Sequence, residues 1–363
     1  MDQDRAAPSA PASIAEAMAS RAGNNFDLLR IFAALLVLLS HSYPLSGHGN
    51  EIFSRLLGYD TGGGYGVAIF FVISGFLVTR SVQQRSTLAY LASRAARIVP
   101  ALFVALAVQA LVIGPLLTTL PLGAYLRAGD SWGFLHGTAI FYQHDNLPGL
   151  FTHLPVPAVN GSLWTIPVEV FYYLRLVVFA TLGLLRRLPV LVLFAAAAAA
   201  LGYMTVFLGL DWLHQGGLMV RNVPLLPSAR MAMFFLFGAC CWVWRDRVPL
   251  DPGLAIVAAI LLVIGQTGGL GGVIYYPCFG YLVLFIALWR RIPQGLYRRI
   301  GDISYGTYLY AFPVQQAVLT LAGGHLRPTQ LSLLAVPPTL VLGFLSWRLI
   351  EAPALAWRRR GTH

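Results

Sequence analysis

Arg30 and His41 stand eleven residues apart in one long apolar run, NNFDLLRIFAALLVLLSHSYPL. Eleven residues are close to three turns of α-helix, so both side chains leave one face, about 16 Å apart along the axis. An imidazole at that depth can take up and return a proton near neutral pH. A guanidinium at the mouth of the same helix can hold an anion. Arg94 and Arg97, in SRAARIVP, are three apart and share a helical face in what reads as the entry to a third apolar run. Three guanidiniums converging on one mouth form a phosphate site through charge-assisted, bidentate bonds. Glu169, in NGSLWTIPVEVFYYLR, lies roughly 10 Å into a further apolar run by helical rise. Trp164, Tyr172 and Tyr173 surround it in sequence. A carboxylate at that depth needs a cation or donors. His41, at similar depth, is the expected partner, with Arg175 or a tyrosine as the alternative.

The elements that position these residues follow from composition. The 363 residues are 57% hydrophobic and 11% charged, with a mean hydropathy of +0.69. Soluble domains carry roughly 45–50% apolar and about 25% charged residues, so a soluble enzyme is excluded. The net charge is +11, and every basic residue is arginine. Anionic headgroups and membrane topology account for that excess, so a lipid bilayer and no nucleic acid is the expected partner. A bilayer-spanning helix needs about 20 apolar residues. Ten runs qualify, at approximately 28–46, 65–82, 98–117, 162–185, 188–209, 226–244, 253–270, 273–290, 303–322 and 330–350. With the N-terminus inside, nineteen of the 25 arginines fall on the cytoplasmic side and five outside, the positive-inside signature. Arg290, Arg291, Arg298 and Arg299 contribute to that count. The fold expected is therefore all-α: a polytopic membrane helical bundle of about ten transmembrane helices with both termini cytoplasmic.

Residues 1–25 read as a disordered cytoplasmic tail, 26–351 as the membrane domain and 352–363 as a basic cytoplasmic tail. The one long outer loop, 118–161, carries Trp132, Phe134, Phe141, Tyr142 and Phe151, and is expected to lie on the membrane or cover an outward cavity. Its His136, His144 and His153 lack ligand spacing, and no metal is expected. Cys240, Cys241 and Cys278 read as small packing residues. Gly75 reads as a point of close helix approach.

Six motifs in register resemble the acyltransferase-3 family of integral membrane O-acyltransferases. They are Arg30-x10-His41, FFVISGF at 70–76, Arg94-x-x-Arg97-Ile-Val-Pro, NGSLWTIPVE at 160–169, ISYGTYLYAFP at 303–313 and IEAP around Glu351. The resemblance covers about 26–353. It implies transfer of an acyl group, usually acetyl, from cytoplasmic acyl-CoA to a hydroxyl of a carbohydrate or other envelope-related acceptor, in a bacterial cytoplasmic (inner) membrane. It implies a catalytic role for His41 and links Arg30, Arg94 and Arg97 to the acyl donor. Ala311 replaces a histidine that many relatives carry, Arg175 replaces an apolar residue, and no large extracytoplasmic domain is expected. Acyl-CoA is then a co-substrate whose phosphates sit at the arginines and whose arm runs inward to His41. Glu169 would support the imidazolium. Trp164, Tyr172, Tyr173, Ser74, Tyr305 and Tyr308 are candidates for contacts to the acceptor or the oxyanion. Direct transfer and an acyl-histidine intermediate both remain open. A transporter or flippase with a proton or anion pathway is the rival reading.

Overall fold

The computed structural model describes residues 13–19, 23–49, 51–136, 146–206, 219–220, 223–266, 271–289 and 300–360. Phe141, Tyr142, His144, Arg290, Arg291, Arg298 and Arg299 lie outside them. Among the described residues, ten helices have fourteen residues or more. They are α1 (Phe26–Leu45), α2 (Gly62–Gln84), α3 (Thr87–Val108), α4 (Thr165–Thr181), α5 (Arg187–Val206), α6 (Leu225–Val243), α7 (Pro252–Gly265), α8 (Gly271–Leu288), α9 (Ser304–Leu321) and α10 (Pro328–Ser346). Each overlaps one of the ten apolar runs. Among the described residues, strands are confined to a two-residue pair, Met219–Val220 with Val223–Pro224.

Six of these helices are long and apolar enough to cross a membrane: α1, α2, α3 with its continuation to Leu117, α5, α6, and α10 with its continuation to Arg358. Helix α7 and residues 274–288 of α8 are apolar but shorter. Helix α4 carries Glu169, and α9 buries Thr307, Gln315 and Gln316. These polar side chains lower the hydropathy of helices that face the interior.

Helix α2 is the hub. It packs on α1, α4, α6 and α8, while α1 also packs on α9 and α10. The approach to α6 is close because a Cβ on Gly75 would collide with the Phe235 carbonyl, and one on Gly238 with the Val72 carbonyl. Gly75 thus has the packing role read for it. Helix α7 packs chiefly on α8, and Ile256, Val263 and Ile264 remain exposed. Such faces suit lipid rather than water.

Three boundaries differ from the sequence reading. Helix α3 begins at Thr87, well before the apolar run at 98–117, so Arg94 and Arg97 lie inside the helix rather than at its entry. Ser86 accounts for the early start, since its side chain accepts from the Ala89 N–H. Within the segment read as a disordered tail, Ile14–Ala19 is helical and Ile14 is fully buried. The Ile14 N–H donates to the Val248 carbonyl at 3.1 Å, which ties the segment to the loop after α6. Beyond α10, a π-helical turn at Trp347–Glu351 leads into a helix at Ala352–Arg360 that packs on α3.

Candidate active site

Two chambers open into the bundle from its opposite ends. The first is lined by Arg30 at the start of α1, Arg94 and Arg97 on α3, Ser74 on α2, Glu169 and Tyr173 on α4, and Tyr305 on α9. The second lies at the other end of α1. His41, Trp164, Glu51, Asp60 and Arg230 line it. Val67 and Tyr308 line both chambers.

In the first chamber the three arginines converge, as their spacing suggested, but their partners differ. Arg97 donates to Asp302 Oδ2 at 2.5 Å and to Glu351 Oε2 at 3.1 Å. Its guanidinium also lies over the rings of Tyr305 and Trp347. Arg30 reaches Asp27 Oδ1 at 3.3 Å and the shared Asp302 Oδ2 at 3.4 Å. Arg94 has no carboxylate partner among the described residues. Its Nε donates to Ser93 Oγ at 3.3 Å, and its guanidinium stands 5.7 Å from the Tyr173 ring centroid. Burial alone would raise the Asp302 carboxyl, but Arg97 and Arg30 beside it outweigh that and hold it below the usual range.

Glu169 does not pair with His41. Its Oε1 accepts from Ser74 Oγ at 3.0 Å and from the Tyr173 hydroxyl. The i, i+4 spacing of Glu169 and Tyr173 on α4 produces the second bond, and the α2–α4 contact produces the first. Arg175 is exposed and stacks on Phe171 instead, 4.5 Å from its centroid. Tyr172 lines neither chamber. Its hydroxyl donates to the Ser228 carbonyl at 2.7 Å and its ring packs on Phe71 and Phe235. A step of one residue turns a helical side chain by 100°, which separates Tyr172 from Tyr173. Tyr305 lines the first chamber and donates to the Ile98 carbonyl at 3.3 Å.

His41 meets the Phe312 ring edge-on at 5.3 Å. Its Nδ1 is buried without a hydrogen-bond partner among the described residues. The NGSLW segment is held against α9 beside it. Asn160 Nδ2 donates to the Leu309 carbonyl at 2.9 Å. The Tyr308 hydroxyl donates to the Ser162 carbonyl at 2.8 Å and lies 2.7 Å from Thr165 Oγ1. These bonds fix Tyr308, which lines both chambers, and place Trp164 in the His41 chamber.

Sequence reasoning gave no site role to Asp302, Glu51, Asp60 and Arg230, and named Glu351 only within the IEAP motif. For Glu51 and Asp60, Gly62-Gly63-Gly64 at the start of α2 was the available signal. A Cβ on Gly62 would stand 2.5 Å from Glu51 Oε1, one on Gly63 3.0 Å from Ser40 Oγ, and one on Gly64 would strike the Asp60 carboxyl. Three successive bare positions thus let polar groups crowd one helix end.

Residues 24–350 match the model of the acyltransferase-3 family, described as an acyltransferase domain. The chain belongs to that family. It is 30% identical over 338 residues to an O-acetyl transferase of Shigella phage Sf6, covering 90% of this chain and 95% of the relative. It is also 30% identical over 372 residues to nodulation protein 10 of Rhizobium leguminosarum bv. viciae, covering 92% and 94%. Acyltransferase MdmB of Streptomyces mycarofaciens is 26% identical over 375 residues, covering 92% of each. No solved structure matches the chain. This acyltransferase-3 protein is an integral membrane O-acyltransferase, and the two chambers are its candidate active site.

Proposed function

We propose that the enzyme moves an acetyl group from cytoplasmic acetyl-CoA to a hydroxyl of a carbohydrate or other envelope-related acceptor. The observation that carries this reading is the pair of chambers, one rich in arginine and one holding His41, that share Val67 and Tyr308 in their linings. The name of the phage relative, an O-acetyl transferase, favours acetyl. In this reading ten helices cross a bacterial cytoplasmic membrane, both termini are cytoplasmic, and the arginine chamber opens to the cytoplasm.

Donor phosphates bind first at Arg94, which has no carboxylate partner among the described residues, with Arg30 and Arg97 extending the positive field. The CoA arm runs past Ser74 and Glu169 and presents the thioester carbonyl near Tyr308. The acceptor enters the opposite chamber. A ring nitrogen of neutral His41 takes the proton of the acceptor hydroxyl as its oxygen bonds to the carbonyl carbon. Trp164 Nε1–H is a donor the chamber offers the oxyanion, whereas the Tyr308 hydroxyl proton is already given to the Ser162 carbonyl. The carbon–sulfur bond then breaks, and the imidazolium returns the proton to the CoA thiolate. In the two-step variant His41 attacks the thioester carbonyl carbon, the carbon–sulfur bond breaks and the CoA thiolate takes the imidazolium proton; the acceptor oxygen then displaces the imidazole, which takes the hydroxyl proton. Glu169, bonded to Ser74 and Tyr173, shapes the donor path rather than supporting the imidazolium.

The test uses full-length protein in nanodiscs with acetyl-CoA and envelope glycans. Release of CoA thiol is expected to depend on both protein and glycan, and the glycan is expected to gain the mass of one acetyl group. Thiol release indifferent to any acceptor, with no acetylated product, would contradict the reading.

A further inference from the structure

Asp60 and Arg230 form an ion pair in the wall of the His41 chamber, and the chemistry above makes no use of it. Arg230 Nη2 lies 3.2 Å from Asp60 Oδ2, and the residues are 8% and 5% exposed. A buried pair of this kind costs desolvation and is often no more stable than apolar residues of the same shape. Stability is therefore a weak reason to keep one. Ionisable residues in the interior of a membrane protein mark substrate paths and other functional sites.

The pair is also held stiffly. Asp60 precedes α2, and Arg230 sits on α6. The Tyr65 hydroxyl accepts from the backbone N–H groups of Tyr59 and Asp60, at 3.2 and 3.1 Å. Thr61 N–H donates to Asp60 Oδ1 at 2.8 Å, and Arg230 also donates to the Tyr59 carbonyl at 3.1 Å. The Tyr59 ring stacks on Tyr275 with centroids 4.6 Å apart. Gly64 leaves bare backbone beside the Asp60 carboxyl, where any side chain would collide with it. Each Asp60 oxygen carries one of these bonds, and a carboxylate oxygen can accept two. The same chamber holds the unpartnered, buried Nδ1 of His41 and the Trp164 indole.

We infer that Asp60 and Arg230 recognise the acceptor, with Asp60 accepting a hydrogen bond from a hydroxyl that neighbours the one acylated at His41. The ligand class is a neutral polyhydroxylated ring. Its adjacent hydroxyls suit a fixed carboxylate beside a fixed guanidinium, and its C–H faces suit the Trp164 ring. A simple long-chain alcohol would set an apolar chain against a buried charge pair at a desolvation cost. This inference rests on the proposed acyl transfer and adds the residues that select its acceptor.

The experiment measures acetyl transfer by full-length protein in nanodiscs to methyl glucopyranoside, methyl galactopyranoside, methyl mannopyranoside and methyl rhamnopyranoside, with 1-octanol as the apolar comparison. Asp60→Asn and Arg230→Gln are each expected to raise the half-saturating glycoside concentration by about tenfold or more, the equivalent of one lost charge-assisted hydrogen bond. Affinity for acetyl-CoA should not change. Because either single variant strands a buried partner, the double variant D60N/R230Q is measured beside them. It should regain thermal stability without regaining glycoside affinity. Wild-type glycoside saturation in the single variants, or its recovery in the double variant, would overturn the inference and leave the pair a structural one. Octanol acetylated as well as the glycosides would overturn it too. Failure of the function reading looks different: wild-type protein would then transfer acetyl to no glycoside, and this inference would fall with it.

Discussion

Arg94 and Arg97 stand one helical turn apart, yet their surroundings assign them different work. Arg97 is clasped by Asp302 and Glu351, and Glu351 is 1% exposed. Removing the guanidinium would strand two carboxylates, a loss of about 3–5 kcal/mol when the pair is buried. Among the described residues Arg94 has only a serine hydroxyl and a tyrosine face as partners. Arg94→Ala is therefore expected to weaken acetyl-CoA binding strongly while the melting temperature barely moves. Arg97→Ala is expected to lower the melting temperature as well as the affinity. Calorimetric titration with acetyl-CoA and thermal unfolding in detergent check both, and equal melting temperatures would contradict the distinction. The arginine motif was legible in the sequence, because residues three apart on a helix share a face. The difference between its members was not, because Asp302 and Glu351 lie 205 and 254 residues further along the chain. For Glu169 the alternative partner, a tyrosine, is the one found, Tyr173 at i+4, while its second partner, Ser74, lies 95 residues away and was not legible.

At the scale of elements, apolar run length located all ten long helices, since a helix inside a bilayer must satisfy its own backbone groups and needs a fixed span. Their ends were less legible. Ser86 starts α3 early through a side-chain cap, and the π-helical turn at Trp347–Glu351 carries α10 onward. Neither feature alters hydropathy. The close α2–α6 crossing rests on Gly75 and Gly238, each with no room for a Cβ against the opposing backbone. Gly75→Leu is expected to prevent folding, whereas Gly75→Ala should fold with a markedly lower melting temperature, an overpacking cost of about 1–3 kcal/mol or more. Size-exclusion profiles and thermal unfolding check this. An unaffected Gly75→Leu protein would mean that α2 and α6 do not meet as described.

For the whole molecule, the arrangement of the two chambers carries an orientation. The arginine chamber opens where α1 and α9 begin, and the His41 chamber opens where α1 ends and α2 begins. If the arginine chamber faces acetyl-CoA, the N-terminus is cytoplasmic, in line with the arginine asymmetry of the chain. Reporter fusions after His363 and within 146–150 are expected to report cytoplasm and exterior respectively. The reverse pattern would place the donor arginines on the side without acyl-CoA. Helix order and orientation could be argued from arginines alone. That Val67 and Tyr308 line both chambers could not, because it depends on how α2 and α9 pack, and spacing along one helix carries no information about another.

The central claim is that His41 performs the chemistry at the inner end of a chamber separate from the donor arginines. The most direct test is His41→Ala in full-length protein, with acetyl-CoA binding and acetyl transfer measured on the same sample. Acetyl-CoA affinity should be retained, because Arg30, Arg94 and Arg97 line the other chamber. Transfer should fall by about 10²–10⁴-fold, the usual loss for a general base, and further if His41 carries the acyl group. Transfer at a near-normal rate in a folded, acetyl-CoA-binding His41→Ala protein would contradict the account.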